Sequence, residues 1–191
     1  FHLINQVWVH PYLDMILSFS RNQFVWTPLY AFLIGFFIFN FGTKGLYLCL
    51  FAIGLVILSN LISSELIKKN VRRTRPCNEV SLEQNRRLLV QCGTGYSFTS
   101  SHATNHFCFS VFIILAAASY LPRTRYLFLL WAAVIAYAQI YVGVHYPMDV
   151  IFGSLLGIFM GWIGAVFYKL LLDNISYYNR WFYPGGYYGF P

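Results

Sequence analysis

"YAFLIGFFIFNFGTKGLYLCLFAIGLVIL", residues 30–58, contains two long apolar runs separated by a short polar segment around Lys44. With their flanks, these runs cover residues 24–42 and 45–63. An α-helix rises about 1.5 Å per residue, so each run is long enough to cross the roughly 30 Å hydrocarbon layer of a bilayer. The stretch therefore predicts two consecutive membrane-spanning helices.

Three further apolar runs, at residues 103–121, 125–144 and 149–171, have a similar length. Residues 1–20 mix apolar side chains with polar ones and contain Pro11, which favours a short amphipathic helix at the membrane interface. The predicted fold class is all-α: a polytopic membrane helix bundle of five to six helices with an amphipathic N-terminal segment.

The same pattern sets the predicted domain organisation. Residues 1–172 form a single membrane-embedded domain, and residues 173–191, rich in Tyr, Gly and Pro, form an interfacial or irregular tail. Counting the spans places residues 1–20, the long polar segment 64–102 and the turn at 145–149 on one face of the membrane. Three segments that are distant in sequence should therefore meet there.

Composition and charge narrow the function classes. The 191 residues are 58% hydrophobic and only 10% charged, whereas a soluble domain is about 25% charged. The net charge is +7, but many of the basic residues lie in the loop between apolar spans. This arrangement favours the bilayer and an anionic lipid as partners and argues against nucleic acid. The four cysteines contain no CxxC pair of the type that binds zinc.

The first polar motif is "KKNVRRTRP", residues 68–76. Lys68 and Arg75 are seven residues apart, so a continuous helix would place both on one side, and Pro76 would end that helix. Fixed cations of this kind suit a phosphate dianion. Taken alone, the motif favours a basic cluster that holds lipid headgroups.

The second polar motif is "YSFTSSHATNHF", residues 96–107, directly before an apolar helix. Thr99, Ser100 and Ser101 are suitable N-caps, and the free N–H groups of a helix start attract anions. His102 lies in the first turn. His102 and His106 have the spacing of a zinc-binding pair, but no HExxH motif or Cys set accompanies them, so no metal site is predicted.

The third polar motif is "YAQIYVGVHYPMDV", residues 137–150. His145 and Asp149 are one turn apart if the next helix begins near Tyr146, and Pro147 suits the first turn of such a helix. A carboxylate beside an imidazole fixes its tautomer and raises its basicity. The alternative is a His–Asp hydrogen bond that only fastens the helix start, although ionisable groups at a membrane are costly without a function.

The three motifs together resemble the type 2 phosphatidic acid phosphatase family. The matching residues are Lys68 with Arg75 and Pro76, then Ser100 with His102, then His145 with Asp149 (all in the family's order and spacing, and all in loops between spans). Each motif alone is weak, but the ordered set is specific. The similarity covers about residues 24–171.

This sequence departs from the family pattern at several motif positions. Thr99 and Ser101 replace Pro and Gly, and Ala138 and Gln139 replace Ser and Arg. Gln139 is the serious change, because a glutamine donates hydrogen bonds but carries no charge. The loss amounts to on the order of 2–4 kcal/mol of transition-state binding. The neighbouring cations that offer compensation are Arg72, Arg73, Arg86 and Arg87.

The resemblance implies a metal-independent hydrolase of lipid phosphates or diphosphates that uses no cofactor. His145 is the implied nucleophile that forms a phosphohistidine, Asp149 orients it, and His102 exchanges protons with the leaving oxygen and with water. The implied phosphate-binding residues are Lys68, Arg75, Ser100, Ser101 and Gln139. The expected substrates are undecaprenyl diphosphate or lipid A. A phosphotransferase of the same fold and a non-catalytic lipid-phosphate binder are the alternatives.

Two observations bear on the membrane face that holds the site. Eight of the 13 basic residues fall on the side of the polar loop, which by the positive-inside rule predicts a cytoplasmic site. The family's bacterial members favour instead the periplasmic face of the inner membrane. Cys77 and Cys92 flank the loop and would be able to form a disulfide in an oxidising compartment, with free thiols as the alternative.

Overall fold

The computed structural model describes the backbone of residues 1–182 and the side chains of residues 1–172. Within this part of the chain every regular element is helical. The main helices are α1 (Pro11–Ser20), α2 (Thr27–Leu61), α3 (Lys68–Val71), α4 (Ser101–Ala116), α5 (Leu127–Tyr141) and α6 (Pro147–Phe182). The predicted all-α membrane bundle is confirmed.

The N-terminal segment lies on the side of the bundle. A single π-helical turn, Leu3–Val7, precedes α1, which begins at His10 with Pro11 in its first turn. Leu17 is buried against α5, whereas Tyr12, Met15 and Phe19 are exposed, so the outer face of α1 is apolar. In a protein of this class, that face suits lipid rather than water.

The two predicted spans at the start of the chain form a helical hairpin inside α2. The backbone reverses at Gly42, whose φ of 55° and ψ of −130° are not helical. A Cβ on Gly45 would lie 1.9 Å from the carbonyl oxygen of Phe37, so the two arms approach too closely for a side chain there. At these two glycines the 35-residue stretch reverses direction, so its two helical arms lie side by side.

The polar segment that follows α2 is mostly irregular. A π-helical turn, Ile62–Ile67, leads into the short α3, and two 3₁₀ turns follow at Pro76–Asn78 and Val80–Asn85. The prediction of one continuous helix from Lys68 to Pro76 is wrong. The helix ends at Val71 because Arg72 adopts the left-handed conformation, with φ 51°, and caps it.

Helix α4 lies at the centre of the bundle, where it packs against α2, α5 and most extensively α6. Gly153, Gly157 and Gly161 lie four residues apart on α6. An added Cβ at each would lie 2.3–2.7 Å from a backbone oxygen of α4 or of its N-cap residue. Small residues at this spacing allow two membrane helices to approach closely. The site-bearing ends of α4 and α6 are therefore held rigidly together.

Two helical stretches are long and apolar enough to cross a membrane. They are Gln23–Val71, which contains the hairpin, and Pro147–Leu172. Helices α4 and α5 are shorter than the predicted spans. Helix α6 continues past the predicted domain boundary at residue 172 as far as Phe182, so the first part of the predicted tail is helical. Residues 183–191 of that tail lie outside the described residues.

Candidate active site

The turn between α5 and α6 presents His145. Gly143 has a φ of 88°, and the amides of Val144 and His145 both donate to the carbonyl oxygen of Gln139, so the end of α5 closes into a tight loop. A Cβ on Gly143 would meet the carbonyl of Arg87 at 2.4 Å, which makes glycine necessary for the approach of the polar segment. His145 is held in this turn with only 2% of its surface exposed.

The two ring nitrogens of His145 face different partners. Nε2 lies 3.5 Å from the Arg75 guanidinium, and Nδ1 lies 3.3 Å from the hydroxyl of Ser97. A guanidinium can only donate, so Nε2 is the acceptor and carries the lone pair, while Nδ1 carries the proton. This tautomer points a nucleophilic nitrogen at the cationic side of the site.

The charge state of His145 agrees with this arrangement. Burial lowers the pKa of His145 to about 4, and the charges of Arg75 and Lys68 act in the same direction, against the opposing effect of Asp149. The imidazole is therefore neutral at pH 7, as a nitrogen nucleophile must be. Arg75 contacts this ring directly, and the positive charge of Lys68 also acts on it.

Asp149 lies one turn into α6 and acts on His145 partly through a third residue. Its Oδ2 is 3.6 Å from Nδ1 of His145, while the Ser97 hydroxyl donates to the same Oδ2 at 2.5 Å and contacts Nδ1. The amide of Tyr146 donates to Oδ2 at 2.9 Å, and Arg73 pairs with Oδ1 at 2.8 Å. The predicted pair is thus a relay from His145 through Ser97 to a carboxylate that is fully hydrogen-bonded.

Arg75 is brought to the site although the helix that was expected to carry it ends early. Its Nε donates to the carbonyl of Gly95 at 3.1 Å, which fixes the guanidinium beside His145. Burial lowers the pKa of Arg75, and the charge of Asp149 opposes that effect. The extended chain after Arg72, rather than helical periodicity, places this cation.

The start of α4 has a more structural role than the sequence suggested. Ser100 is confirmed as the N-cap, because its hydroxyl accepts from the amide of Ala103 at 3.4 Å. The amide of Ser100 donates to the carbonyl of Asp149 at 3.0 Å, so it is not free to hold a phosphoryl oxygen as expected. The Ser101 hydroxyl bonds to Ser63 and Ser64, at 2.6 and 2.9 Å, on the side of α2.

His102 follows in the first turn of α4, with its ring partly exposed. The ring stacks with that of His106 at a centroid distance of 6.3 Å. Nδ1 of His106 instead contacts the backbone oxygen of His102 at 2.9 Å. Over residues 1–172, no group of three or more His, Cys, Asp or Glu side chains is close enough together to hold a metal ion.

Gln139 is completely buried on the last turn of α5. Its Nε2 reaches only the carbonyl of Ile135, at 3.4 Å, and its Oε1 has no hydrogen-bond partner among the described residues. The side chain therefore lies along its own helix. A direct contribution to phosphate binding at this position stays a prediction.

The four arginines that the sequence offered as compensation are engaged elsewhere. Arg73 pairs with Asp149, Arg87 pairs with Asp14, Arg86 donates to the carbonyls of Pro76 and Glu79, and Arg72 donates to that of Lys69. Arg87 also lies over the ring of Tyr141, whose hydroxyl bonds to Asp14 at 2.6 Å. These bonds tie the polar segment to α1 and α5 instead of to a ligand.

Sequence reasoning missed Ser97 in the relay, and it offered Arg73 only as a compensating cation rather than as the partner of Asp149. Ser97 lies three residues before the recognised serine, and its amide donates to the carbonyl of Arg73 at 2.8 Å. Neither residue had a helical or strand spacing that pointed to Asp149. The structure also joins Cys77 to Cys92 by a disulfide across a Cα distance of 5.9 Å.

The chain is similar in sequence and fold to known proteins. The sequence profile of the PAP2 superfamily matches residues 46–173. The chain belongs to the PAP2 superfamily. It is 31% identical over 159 residues to the lipid A 4'-phosphatase of Bacteroides thetaiotaomicron, with 80% of this chain and 68% of the relative covered. The lipid A 4'-phosphatase of Porphyromonas gingivalis is 30% identical over 180 residues, with 90% and 70% covered.

A third relative and two solved structures are also similar to this chain. The undecaprenyl-diphosphatase of Sulfolobus acidocaldarius is 32% identical over 164 residues, which cover 84% of this chain and 72% of the relative. The crystal structure of Aquifex aeolicus LpxE superposes with a TM-score of 0.63 at 28% identity, covering 85% of this chain and 90% of that one. A phosphatidylglycerolphosphate phosphatase of Bacillus subtilis gives 0.65 at 21% identity, covering 85% and 80%, and shares the fold.

Proposed function

We propose that this PAP2 protein is a membrane-integral lipid phosphatase that transfers a phosphoryl group to water through a phosphohistidine at His145. One observation carries the proposal: Nε2 of His145 faces Arg75, while Nδ1 is held by Ser97 beside Asp149. A neutral imidazole with its lone pair directed at fixed cations is arranged to attack a bound phosphate.

The reaction runs in two balanced steps. In the first, Nε2 of His145 forms a bond to phosphorus and the bond from phosphorus to the lipid oxygen breaks, while His102, which gains a proton when the negative phosphate binds beside it, gives that proton to the leaving oxygen. In the second, His102 takes a proton from water as its oxygen attacks phosphorus, which breaks the phosphorus–Nε2 bond and releases inorganic phosphate. Lys68 and Arg75 neutralise the phosphoryl oxygens throughout, and Asp149 stabilises the charge that develops on His145.

The substrate that we propose is lipid A phosphate, with undecaprenyl diphosphate as the second candidate. Two relatives at 30–31% identity carry the first activity in their names, and one at 32% carries the second. An apolar cavity of about 270 Å³ between the α2 arms and α4 gives room for an acyl chain beside the site, since His106 in its wall lies one turn from His102. The same chemistry fits either headgroup, because only the phosphate enters the cationic region.

Purified protein in detergent should release phosphate from lipid A and from undecaprenyl diphosphate in the presence of excess EDTA. The reaction needs no divalent ion because cationic side chains supply the charge stabilisation. A colorimetric phosphate assay measures both rates, and a faster rate on lipid A is expected. Phosphate release that disappears with EDTA and returns with added Mg²⁺ would contradict the proposal, and label transferred to a second lipid instead of water would indicate the phosphotransferase.

We further propose that the site faces the periplasm of a bacterial inner membrane, which the Cys77–Cys92 disulfide supports. Disulfides persist in oxidising compartments, and this one closes the loop that carries the site. In protein unfolded without reductant, alkylation should modify Cys49 and Cys108, which are free and buried, but leave Cys77 and Cys92 unmodified. Mass spectrometry that finds all four cysteines alkylated would reject the disulfide.

A further inference from the structure

Arg21, the residue after α1, is a partly buried cation without a counter-ion. Its Nε is shielded from solvent and has no hydrogen-bond partner among the described residues. The ion pairs among the described residues are Lys69–Glu65, Arg73–Asp149 and Arg87–Asp14, and none of them includes Arg21. A half-buried guanidinium without a carboxylate partner is suited to an anion that binds from outside.

Contacts on both sides of Arg21 fix its position next to the site. One turn earlier, Leu17 is buried in a cluster with Ala138 and Tyr141, so α1 lies against the end of α5 that carries Gln139. On the other side, the indole of Trp26 donates to the carbonyl of Ser20 at 2.6 Å. The backbone around Arg21 is therefore tied down between two anchors.

A continuous row of rings connects this anchor to the proposed general acid. Trp26 packs edge-on against Trp131 at 5.4 Å, Trp131 lies 4.7 Å from the ring of His106, and His106 stacks with His102 at 6.3 Å, all between ring centroids. The end of α1 that carries Arg21 is therefore linked through packed rings to the face of α4 that presents His102.

The electrostatics agree with that placement. Burial lowers the pKa of Arg21, and the positive charge of Arg75 lowers it further. The positive charges of the two guanidiniums thus act on each other, and both groups stay protonated. An anion bound between them would relieve this repulsion, and a phosphoryl group has enough oxygens for both.

We propose that Arg21 binds an oxygen of the phosphoryl group being transferred, and so supplies the positive charge that Gln139 does not provide. The inference rests on the proposed function, because it names a further contact to the same phosphate. The sequence profile of the superfamily matches only from residue 46 onward, so Arg21 lies outside the matched motifs. The N-terminal segment would then be part of the site as well as a support for α5.

The test is a set of variants assayed for lipid phosphate hydrolysis and for stabilisation by orthovanadate. Arg21→Gln should lower kcat/KM by about 10²-fold, as expected for the loss of a charged donor to the transition state, and Arg21→Lys should lose less. Adding Gln139→Arg to the Arg21→Gln protein should recover at least tenfold, because the charge returns to the same pocket. Arg123→Gln, an exposed arginine on the far side, is the control and should match wild type.

Vanadate stabilisation separates this inference from the proposed function, because it needs no turnover. Wild type should show a higher Tm with vanadate, and Arg21→Gln should lose most of that increase while its Tm without ligand stays near wild type. Should Arg21→Gln fail to fold, the same comparison is made with Arg21→Lys. A loss of activity with an unchanged vanadate effect would overturn the role of Arg21, and so would wild-type activity in Arg21→Gln. A wild type that binds vanadate but hydrolyses no lipid would overturn the proposed function alone.

Discussion

Replacing His145 with Ala should lower phosphate release by on the order of 10⁴-fold or more, which is the scale of removing a covalent nucleophile. The ring supplies the attacking Nε2. Among the described residues, the turn between α5 and α6 contains no second imidazole that could replace it beside Arg75. The remaining rate would come from phosphate binding alone. Initial rates with saturating lipid A or undecaprenyl diphosphate in detergent measure the effect.

His2→Ala is the matched control, because His2 is exposed and contributes nothing to the turn between α5 and α6. It should retain wild-type turnover. His145→Ala should keep its Tm in detergent within a few degrees of wild type, so that the loss is chemical. A His145→Ala protein that is folded and turns over as fast as wild type would remove His145 from the mechanism.

Replacing Asp149 with Asn should lower kcat by about 10³-fold with a much smaller change in KM, because the lost charge stabilises the reacting imidazole rather than the bound substrate. The Asn side chain keeps the size of Asp. Its single oxygen cannot accept from Ser97, the backbone N–H of Tyr146 and Arg73 together. Asp149 is a positioning residue, so the division between kcat and KM is the decisive readout.

Ser97→Ala tests the relay separately. Since Oδ2 of Asp149 is 3.6 Å from Nδ1 of His145 while the Ser97 hydroxyl contacts both, removing the hydroxyl should lower kcat by about tenfold. Glu83→Gln makes the same carboxylate-to-amide change at an exposed position and should have no effect. Equal KM increases and unchanged kcat in Asp149→Asn and Ser97→Ala would argue against the relay.

The sequence was sufficient to predict the bundle and to predict that His145 and Asp149 lie next to each other. Apolar runs of spanning length depend only on composition and length, and the fold-back at Gly42 changes neither. His145 and Asp149 were recognised because a spacing of four within one helical turn is a local relation, which the short sequence stretch contains in full.

Contacts that depend on irregular backbone were not predictable from helical spacing. Lys68 and Arg75 were placed on one helix, but the left-handed Arg72 ends it, and Arg75 reaches His145 through an extended chain anchored at Gly95. No periodicity describes such a path. The role of the two cations in phosphate binding stays a prediction, and the helix that was expected to bring them together was wrong.

Partner assignments in the tertiary structure were the least predictable. Arg73 was one of four nearby cations, and only the fold shows that it neutralises Asp149 instead of facing a phosphate. The Ser100 amide, expected to be free, is used to hold α6 through the carbonyl of Asp149. Arg21 lies far from the motifs in sequence and comes near them only because α1 packs along α5. Each case depends on which donor reaches which acceptor.

The central claim is that the reaction proceeds through a covalent bond between phosphorus and Nε2 of His145, and trapping that intermediate tests it most directly. Protein mixed briefly with ³²P-labelled lipid substrate and quenched in alkali should carry an acid-labile label, and peptide mapping should place it on His145. The label should be absent from the His145→Ala protein. Label found on His102 or Ser97, or full turnover with no labelled protein at any quench time, would contradict the account.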